Sequence, residues 1–254
     1  MRIRLRLAAL WMGGVVFLMQ AGGPAMAAGL VILTNQGATP GVRELGNAFS
    51  RTSGHTVTVV QAEDDLLTRM LKDGSADLLT QNPGPMENFV KDGKVIGATV
   101  TPFVLAGLGV AVKAGAPKPD ISTVEAYKAA LLAAKSVGYS RGCSGTNAGQ
   151  GIAQMGLTDQ LKAKTIFTTT GPVTDYIARG DFEIGIQQTN IMAGVPGVDY
   201  VGPVPAPLNK PCQSNVGVLS TSKQQQAARE FIQFMISPDA APLLRKTHVE
   251  PFKQ

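Results

Sequence analysis

Residues 140–147 combine an arginine with glycines and hydroxyl side chains, a set of residue types suited to holding an anion. Arg141 carries a planar guanidinium that can donate two parallel hydrogen bonds to one carboxylate. Ser144 and Thr146 add hydroxyl donors, and Gly142 and Gly145 allow the backbone to approach a ligand closely. The pattern predicts an anion-binding loop over residues 140–149. A flexible surface loop with a solvated arginine is the plainer alternative.

Side-chain amides are concentrated in two further segments. Asn35, Gln36 and Gly37 follow one short apolar run, and Gln188 and Asn190 follow another. Because an amide group both donates and accepts hydrogen bonds, it suits a ligand rich in oxygen atoms. The functional interpretation places both segments at a ligand. The alternatives are ordinary turn chemistry for the first segment and a plain connecting loop for the second.

A helix is predicted to begin directly after Gly171, because Pro172 fits the first position of a helix. The free N–H groups and partial positive charge at a helix N-terminus attract anions. The same argument applies to the segment at 34–39, which precedes a predicted helix at 42–50. We therefore include Gly171 among the candidate ligand-binding residues.

Two adjacent carboxylates, Glu63 and Asp64, follow a predicted strand. They could accept a ligand hydroxyl or a proton. Together with Asp65 they could instead cap and solvate the start of a helix, where acidic residues are favoured. Tyr139 ends another predicted strand, and for it and Tyr176 the sequence leaves open whether the ring packs in the core or the hydroxyl reaches the site.

The chain has two cysteines, Cys143 and Cys212. In an oxidising compartment such a pair is a disulfide candidate, and two free thiols are the alternative. The sequence has no CxxC and no HExxH, and its only histidines are His55 and His248, which we expect at the surface. We therefore expect no metal site and no cofactor. The absence of a GxSxG motif, a phosphate-binding loop and a dinucleotide fingerprint argues against a hydrolase, an ATPase or a dehydrogenase.

The first 27 residues have the features of a secretory signal peptide. Arg2, Arg4 and Arg6 precede an uncharged apolar run at 7–19, and Ala25-Met26-Ala27 supplies a small-x-small cleavage signal. A membrane anchor is the alternative, but the run is shorter than the ~20 apolar residues needed to span a bilayer. We expect cleavage after Ala27 and a periplasmic protein. Loss of the three arginines would leave a positive excess of only about two charges, spread singly along the chain, so no nucleic acid partner is expected.

Strand-like and helix-like segments alternate throughout the remaining chain. Examples are the β-branched run TVTVV at 56–60, the helical pattern at 65–72 and the Ala/Leu-rich helix at 124–135. This alternation predicts an α/β fold built from parallel βαβ units. Such sheets bind ligands at the carboxyl ends of their strands, where the candidate residues above are located.

Several short motifs occur in an order that resembles a known family. They are GHTVTV at 54–59, DGSADL at 73–78, KDGKV at 91–95, GVAVKAG at 109–115 and ISPDAA at 236–241. Together they resemble the substrate-binding proteins of molybdate-type ABC importers, a family with the type II periplasmic binding fold that includes aconitate isomerase-like members.

The resemblance implies a two-lobed molecule with a central cleft and two hinge crossovers. Lobe 1 would comprise 28–103 and 220–254, and lobe 2 would comprise 104–219. The hinges would lie near Thr101-Pro102 and near 217–219. The resemblance further implies a monomer that binds a small anionic ligand and docks on an ABC permease.

The family's oxyanion-binding serines are missing from this sequence. Asn35-Gln36-Gly37-Ala38 and Gln61-Ala62-Glu63-Asp64 stand where molybdate binders carry a serine after the first and second strands. Because a carboxylate repels a bound dianion, we expect a di- or tricarboxylate ligand for an ABC importer in preference to molybdate or tungstate. An aconitate isomerase that interconverts the trans and cis isomers is the second hypothesis. In it Glu63, Asp64 and Tyr139 would be catalytic, with Cys143 as another possible acid. A molybdate or tungstate receptor with unusual ligands is the third hypothesis.

Overall fold

A computed structural model of the chain describes residues 27–253. The signal peptide predicted at 1–27 therefore lies outside the described residues except for Ala27. Among the described residues, none of the helices combines the length and apolar character needed to cross a membrane.

Within residues 27–253, eleven strands form two mixed sheets, which confirms the predicted α/β fold. The first sheet has the order β11-β4-β10-β3-β1-β2, and the second has the order β7-β6-β8-β5-β9. The strands are β1 Gly29–Thr34, β2 Thr56–Gln61, β3 Leu78–Gln81, β4 Thr101–Ala106, β5 Leu108–Lys113, β6 Val137–Tyr139, β7 Thr165–Phe167, β8 Ile184–Gln188, β9 Val198–Pro203, β10 Cys212–Val218 and β11 Glu250–Pro251.

Ten α-helices connect and cover these strands in the described part of the chain. They are α1 Thr39–Ser53, α2 Asp64–Asp73, α3 Pro83–Lys91, α4 Val124–Ala133, α5 Cys143–Gln154, α6 Thr158–Lys162, α7 Val173–Arg179, α8 Thr189–Met192, α9 Gln225–Met235 and α10 Ala240–Lys246. A short 3-10 helix at Gly97–Thr99 precedes β4.

Parallel pairing occurs where the sequence predicts βαβ units. Strand β1 pairs in parallel with β2 and β3, and β6 pairs in parallel with β7 and β8. Strands β4, β5, β9, β10 and β11 pair antiparallel with their neighbours. The parallel units therefore direct the carboxyl ends of β1, β2 and β3 to one edge of the first sheet, and those of β6, β7 and β8 to one edge of the second.

Each sheet is covered by helices on both faces, so its central strands are apolar on both sides. In β1, Ile32 belongs to the core under α1, α9 and α10, whereas its neighbour Leu33 belongs to the core under α2 and α3. In β5, Val110 packs towards α4, α5 and α6, whereas Ala111 packs towards α7 and α8. Each sheet therefore has its own hydrophobic cores, and these support the loops at the ends of its strands.

The chain passes from the first sheet to the second at Gly107 and returns between Pro203 and Cys212. Strands β4 and β10 lie wholly in the first sheet. Thr101-Pro102, the first predicted hinge, begins β4, and residues 217–219, the second predicted hinge, include the end of β10. The lobe limits at 28–103, 104–219 and 220–254 remain a prediction.

Residues 143–149 form the first half of helix α5, so the expected loop at 140–149 is wrong beyond Gly142. Three glycines lower the helix propensity of α5, but tertiary contacts compensate. Ala148 and Ile152 pack into the core of the second sheet. The carbonyl of Ser140 approaches Gly145 so closely that an added Cβ would collide with it. Glycine is therefore required where the strand–helix connection folds back on the helix.

The expectation that both histidines are at the surface is wrong for His55. Its side chain is buried, and Nδ1 accepts a hydrogen bond from the Ala28 backbone N–H at 3.0 Å. Its Nε2 lies 3.3 Å from a carboxylate oxygen of Glu230. His55 therefore fastens the start of β1 to helix α9.

Candidate functional site

The strand ends of the two sheets enclose a cleft of about 720 Å³. The first sheet contributes the ends of β1, β2 and β3 and the segments after them, and the second contributes the segments after β6 and β7 and the end of β8. The lining residues are Asn35, Gln36, Gly37, Glu63, Asp64, Leu67, Gln81, Asn82, Pro85, Phe89, Ser140, Arg141, Gly142, Cys143, Ser144, Thr168, Thr169, Thr170, Gly171, Gln187 and Gln188. The cleft thus has the location expected for a ligand site in an α/β protein.

Most of the candidate residues meet in this cleft. Of those predicted to bind ligand, all but Thr146 and Asn190 line it, and both Glu63 and Asp64 do so. Thr146 lies exposed on helix α5, away from the cleft. Tyr139 also does not line the cleft, because its side chain is buried beneath the strand ends.

Arg141 is the one cationic residue among the described lining residues. Its Cζ lies 4.3 Å from the centroid of the Phe167 ring, which places the guanidinium over the aromatic face. Within residues 27–253, Arg141 forms no salt bridge. Its positive charge is therefore not neutralised by a protein carboxylate in direct contact.

Glu63 uses its carboxylate to contact the first loop of the cleft. Its Oε1 accepts a hydrogen bond from the Gln36 backbone N–H at 2.9 Å. Glu63 is the N-cap residue of α2, but its side chain makes no capping hydrogen bond. The amide of Gln36, a potential donor to a bound anion, is thus already occupied by a negative group of the protein.

Asp64 begins helix α2 with a positive φ of 48°. This left-handed conformation is uncommon for residues other than glycine, although Asp and Asn adopt it more readily than most. Among the described lining residues, Glu63 and Asp64 are the only carboxylates, so the cleft has a cationic wall on the second sheet and an acidic wall on the first.

Asn35 is held in place by a network of polar groups from the first sheet. Its Oδ1 accepts a hydrogen bond from Thr80 Oγ1 at 3.3 Å, and its Nδ2 lies 3.5 Å from Oδ1 of Asn82. Asn82 in turn donates to the carbonyl of Gln213 at 2.7 Å. Gln81 and Asn82 were not among the residues predicted to bind ligand, although they are polar residues at the end of β3, the same kind of position that identified Asn35 after β1.

Amide groups bridge the two sides of the cleft. Gln187 Nε2 donates to Gln36 Oε1 at 2.9 Å, and Asn190 Nδ2 donates to the carbonyl of Gly37 at 2.8 Å. Gln188 packs against Gly37 so closely that an added Cβ at Gly37 would collide with its side-chain amide. Asn190 therefore joins the two sides although it does not line the cleft.

The loop after β7 is organised around Tyr176. Its hydroxyl accepts hydrogen bonds from the backbone N–H groups of Thr169, at 3.1 Å, and Thr170, at 3.3 Å. Bonds from the side chain of Thr169 and from these two amides lower the pKa of Tyr176 to about 8. Because the Tyr176 oxygen already accepts from both of these backbone N–H groups, the loop presents mainly threonine side chains and Gly171 to the cleft.

Cys143 and Cys212 form a disulfide, with Cα atoms 6.0 Å apart. The predicted pairing is thus confirmed, and Cys143 carries no thiol that could act as an acid. Cys212 begins β10 of the first sheet, whereas Cys143 begins α5 beside the second sheet. The bridge therefore ties the wall of the cleft that carries Arg141 to the strand on which the chain returns to the first sheet.

Within the described part of the chain, no group of three or more His, Cys, Asp or Glu side chains is arranged to hold a metal ion. The chemistry available in the cleft is that of one guanidinium, two carboxylates, and several amides and hydroxyls. This donor set can bind an oxygen-rich anion and offers a carboxylate that can accept a proton.

The sequence and the fold are similar to those of known solute-binding proteins. The family model of bacterial extracellular solute-binding proteins matches residues 30–250. An aconitate isomerase of Pseudomonas sp. is 29% identical over 229 residues, which cover 87% of each chain. The molybdate-binding protein ModA of Rhodobacter capsulatus is 23% identical over 235 residues, or 88% of each chain. The solved structure of the periplasmic molybdate-binding protein of Azotobacter vinelandii superposes with a TM-score of 0.72 at 17% identity, covering 89% of this chain and all of the other.

Proposed function

The chain belongs to the family of bacterial extracellular solute-binding proteins of the molybdate type, and on that premise we propose that its cleft binds a small tricarboxylate or dicarboxylate of the aconitate class. The observation that carries the proposal is Arg141, whose guanidinium lines the cleft and has no carboxylate partner among residues 27–253. A guanidinium in that setting favours a ligand carboxylate, which can accept two parallel hydrogen bonds from it.

The acidic wall supports an elongated ligand in preference to a compact dianion. Glu63 occupies the amide of Gln36, and Asp64 adds a second negative charge beside it. A tetrahedral dianion bound there would be repelled. A volume of about 720 Å³ also suits a multi-atom organic acid, whose carboxylates can reach Arg141 while its neutral part faces the acidic wall.

Measurement of ligand-induced stabilisation tests this proposal. At a concentration a hundred times the dissociation constant, cis-aconitate, trans-aconitate or citrate should raise the melting temperature by about 5–10 °C. Sodium molybdate and sodium sulfate at the same ionic strength are the matched controls and should have little effect. Stabilisation by molybdate alone would refute the proposed ligand class.

As a receptor, the protein would deliver the bound acid to an ABC permease. The family implies a periplasmic location. The proposal includes removal of the leader after Ala27, which would make Ala28 the first residue of the working protein. Ala28 is buried at the start of the first sheet, so the folded domain would begin at the proposed cleavage site.

Isomerisation of aconitate is the second candidate function, and two observations favour it. The aconitate isomerase of Pseudomonas sp. is a relative along 87% of the chain, and Glu63 and Asp64 line the cleft. In this reaction a carboxylate removes a proton from the CH2 carbon of trans-aconitate. The electron pair then forms a new double bond to the central carbon, and the electrons of the old double bond form a C–H bond at the former vinyl carbon with the returned proton. Since Tyr139 does not line the cleft and Cys143 is in a disulfide, the carboxylates are the groups available to move the proton.

Incubation of the protein with trans-aconitate in heavy water separates the two functions. An isomerase should produce cis-aconitate and incorporate deuterium, and Asp64→Asn and Glu63→Gln show which carboxylate the reaction needs. Glu87→Gln, at a carboxylate outside the cleft lining, is the matched control and should leave the rate unchanged. If trans-aconitate binds tightly but neither forms cis-aconitate nor takes up deuterium, the protein acts as a receptor.

A further inference from the structure

Phe167 is a large aromatic side chain exposed at the end of an edge strand. It is the last residue of β7, which pairs only with β6 at the end of the second sheet among the described strands. Phe167 is 40% exposed, whereas most phenylalanines of the described chain lie in or pack against its hydrophobic cores. Burial in a core therefore does not account for the position of this ring.

The guanidinium of Arg141 lies over one face of the Phe167 ring. The distance of 4.3 Å from Cζ to the ring centroid is well inside the range of a cation–π contact. An arginine that contacts a ring through the flat face of its guanidinium keeps its in-plane N–H groups free to donate to a carboxylate.

A buried ring supports Phe167 from below. Tyr139 of β6 stands opposite Phe167 in the strand register, and the two ring centroids lie 5.2 Å apart at an interplanar angle of 81°. This is the edge-to-face geometry that aromatic pairs prefer. Burial of Tyr139 raises the pKa of its phenol, which stays neutral. The core of the second sheet thus fixes Phe167, and Phe167 in turn restrains an arginine side chain that would otherwise be flexible.

We propose that Phe167 is a positioning residue that holds the Arg141 guanidinium at the cleft before ligand arrives. The proposal rests on the function proposed above, because Arg141 is taken to bind a ligand carboxylate. An arginine already ordered loses less side-chain freedom when it binds, so preorganisation increases affinity without a new contact to the ligand.

The first test uses protein without ligand. In ¹⁵N relaxation spectra, the Nε–H group of Arg141, assigned by its loss in Arg141→Lys, should be more rigid than that of Arg51, which is exposed as Arg141 is but lies over no aromatic ring of the described residues. Phe167→Ala should make Arg141 as mobile as Arg51, and Phe167→Tyr should keep it rigid. Ile166→Ala is the matched control, because Ile166 is 37% exposed on the same strand but points to the opposite face. An Arg141 that is equally mobile with and without the ring would overturn the proposal.

The second test measures affinity by calorimetry. Phe167→Ala should weaken binding of trans-aconitate about tenfold, whereas Phe167→Tyr and Ile166→Ala should bind like the wild type. In an Arg141→Ala background, Phe167→Ala should have no further effect, since the ring then has no guanidinium to hold. Equal losses in both backgrounds would show that Phe167 acts through something other than Arg141. If the wild type binds no carboxylate while Arg141 is rigid, the proposed function fails and the positioning of Arg141 stands on the relaxation data.

Discussion

Replacement of Arg141 by alanine should weaken tricarboxylate binding by about 2–4 kcal/mol, roughly a thirtyfold to thousandfold loss of affinity. Arg141 is the one cation among the described lining residues, and no salt bridge in residues 27–253 competes for its charge. Its removal would leave a ligand carboxylate enclosed in the cleft with Glu63 and Asp64 nearby and no opposite charge to offset them.

Two further variants make the Arg141 experiment specific. Arg141→Lys keeps the charge but loses the planar pair of donors, so its affinity should lie between those of the wild type and the alanine variant. Arg51→Ala is the control, because Arg51 is exposed, as Arg141 is, but does not line the cleft. Calorimetric titration with trans-aconitate gives the affinities of the wild type and the three variants. An Arg141→Ala variant that binds as tightly as Arg51→Ala would disprove the role of the guanidinium.

Local signals in the sequence were sufficient to predict most elements and the location of the cleft. Pro172 predicts the start of a helix, and α7 begins one residue later, at Val173, with Pro172 as its N-cap. The β-branched run at 56–60 predicts β2, which extends one residue further. Because such signals depend only on neighbouring residues, they place each loop relative to its own strand. The general rule for α/β sheets then places Asn35 at the ligand-binding edge of the first sheet, and Arg141 and Gln188 at that of the second. That the two edges face one cleft was expected from the family resemblance, and the structure shows it.

Features that depend on distant contacts could not be predicted in this way. The glycines of residues 143–149 indicate a loop by propensity, but packing of Ala148 and the close approach of Ser140 to Gly145 stabilise a helix there. Likewise, contact between Phe167 and Arg141 requires that β6 and β7 be neighbours in the sheet. Nothing in the spacing of those two residues carries that information.

The disulfide illustrates the same limit and leads to the largest expected effect on stability. Cys143 and Cys212 are 69 residues apart, and only the fold brings them together. A bridge that closes so long a loop removes much of the conformational freedom of the unfolded chain, which on the chain-entropy account corresponds to about 4 kcal/mol. The Cys143→Ala/Cys212→Ala double variant should therefore unfold with a free energy lower by about that amount.

Urea unfolding under oxidising and reducing conditions measures this contribution. The double variant and the wild type in dithiothreitol should share a lowered midpoint, whereas dithiothreitol should not affect the double variant, which has no bridge to reduce. Because the bridge joins the start of α5, beside Arg141, to the first residue of β10, its loss should also weaken carboxylate binding while the protein is still folded. Without the disulfide, a direct hydrogen bond would still connect α5 to the segment before β10. In it the Asn147 side chain donates to the carbonyl of Lys210 at 3.0 Å. If the midpoint of the wild type were the same with and without dithiothreitol, the bridge would contribute no stability, and the ordering of the cleft wall would have to come from packing alone.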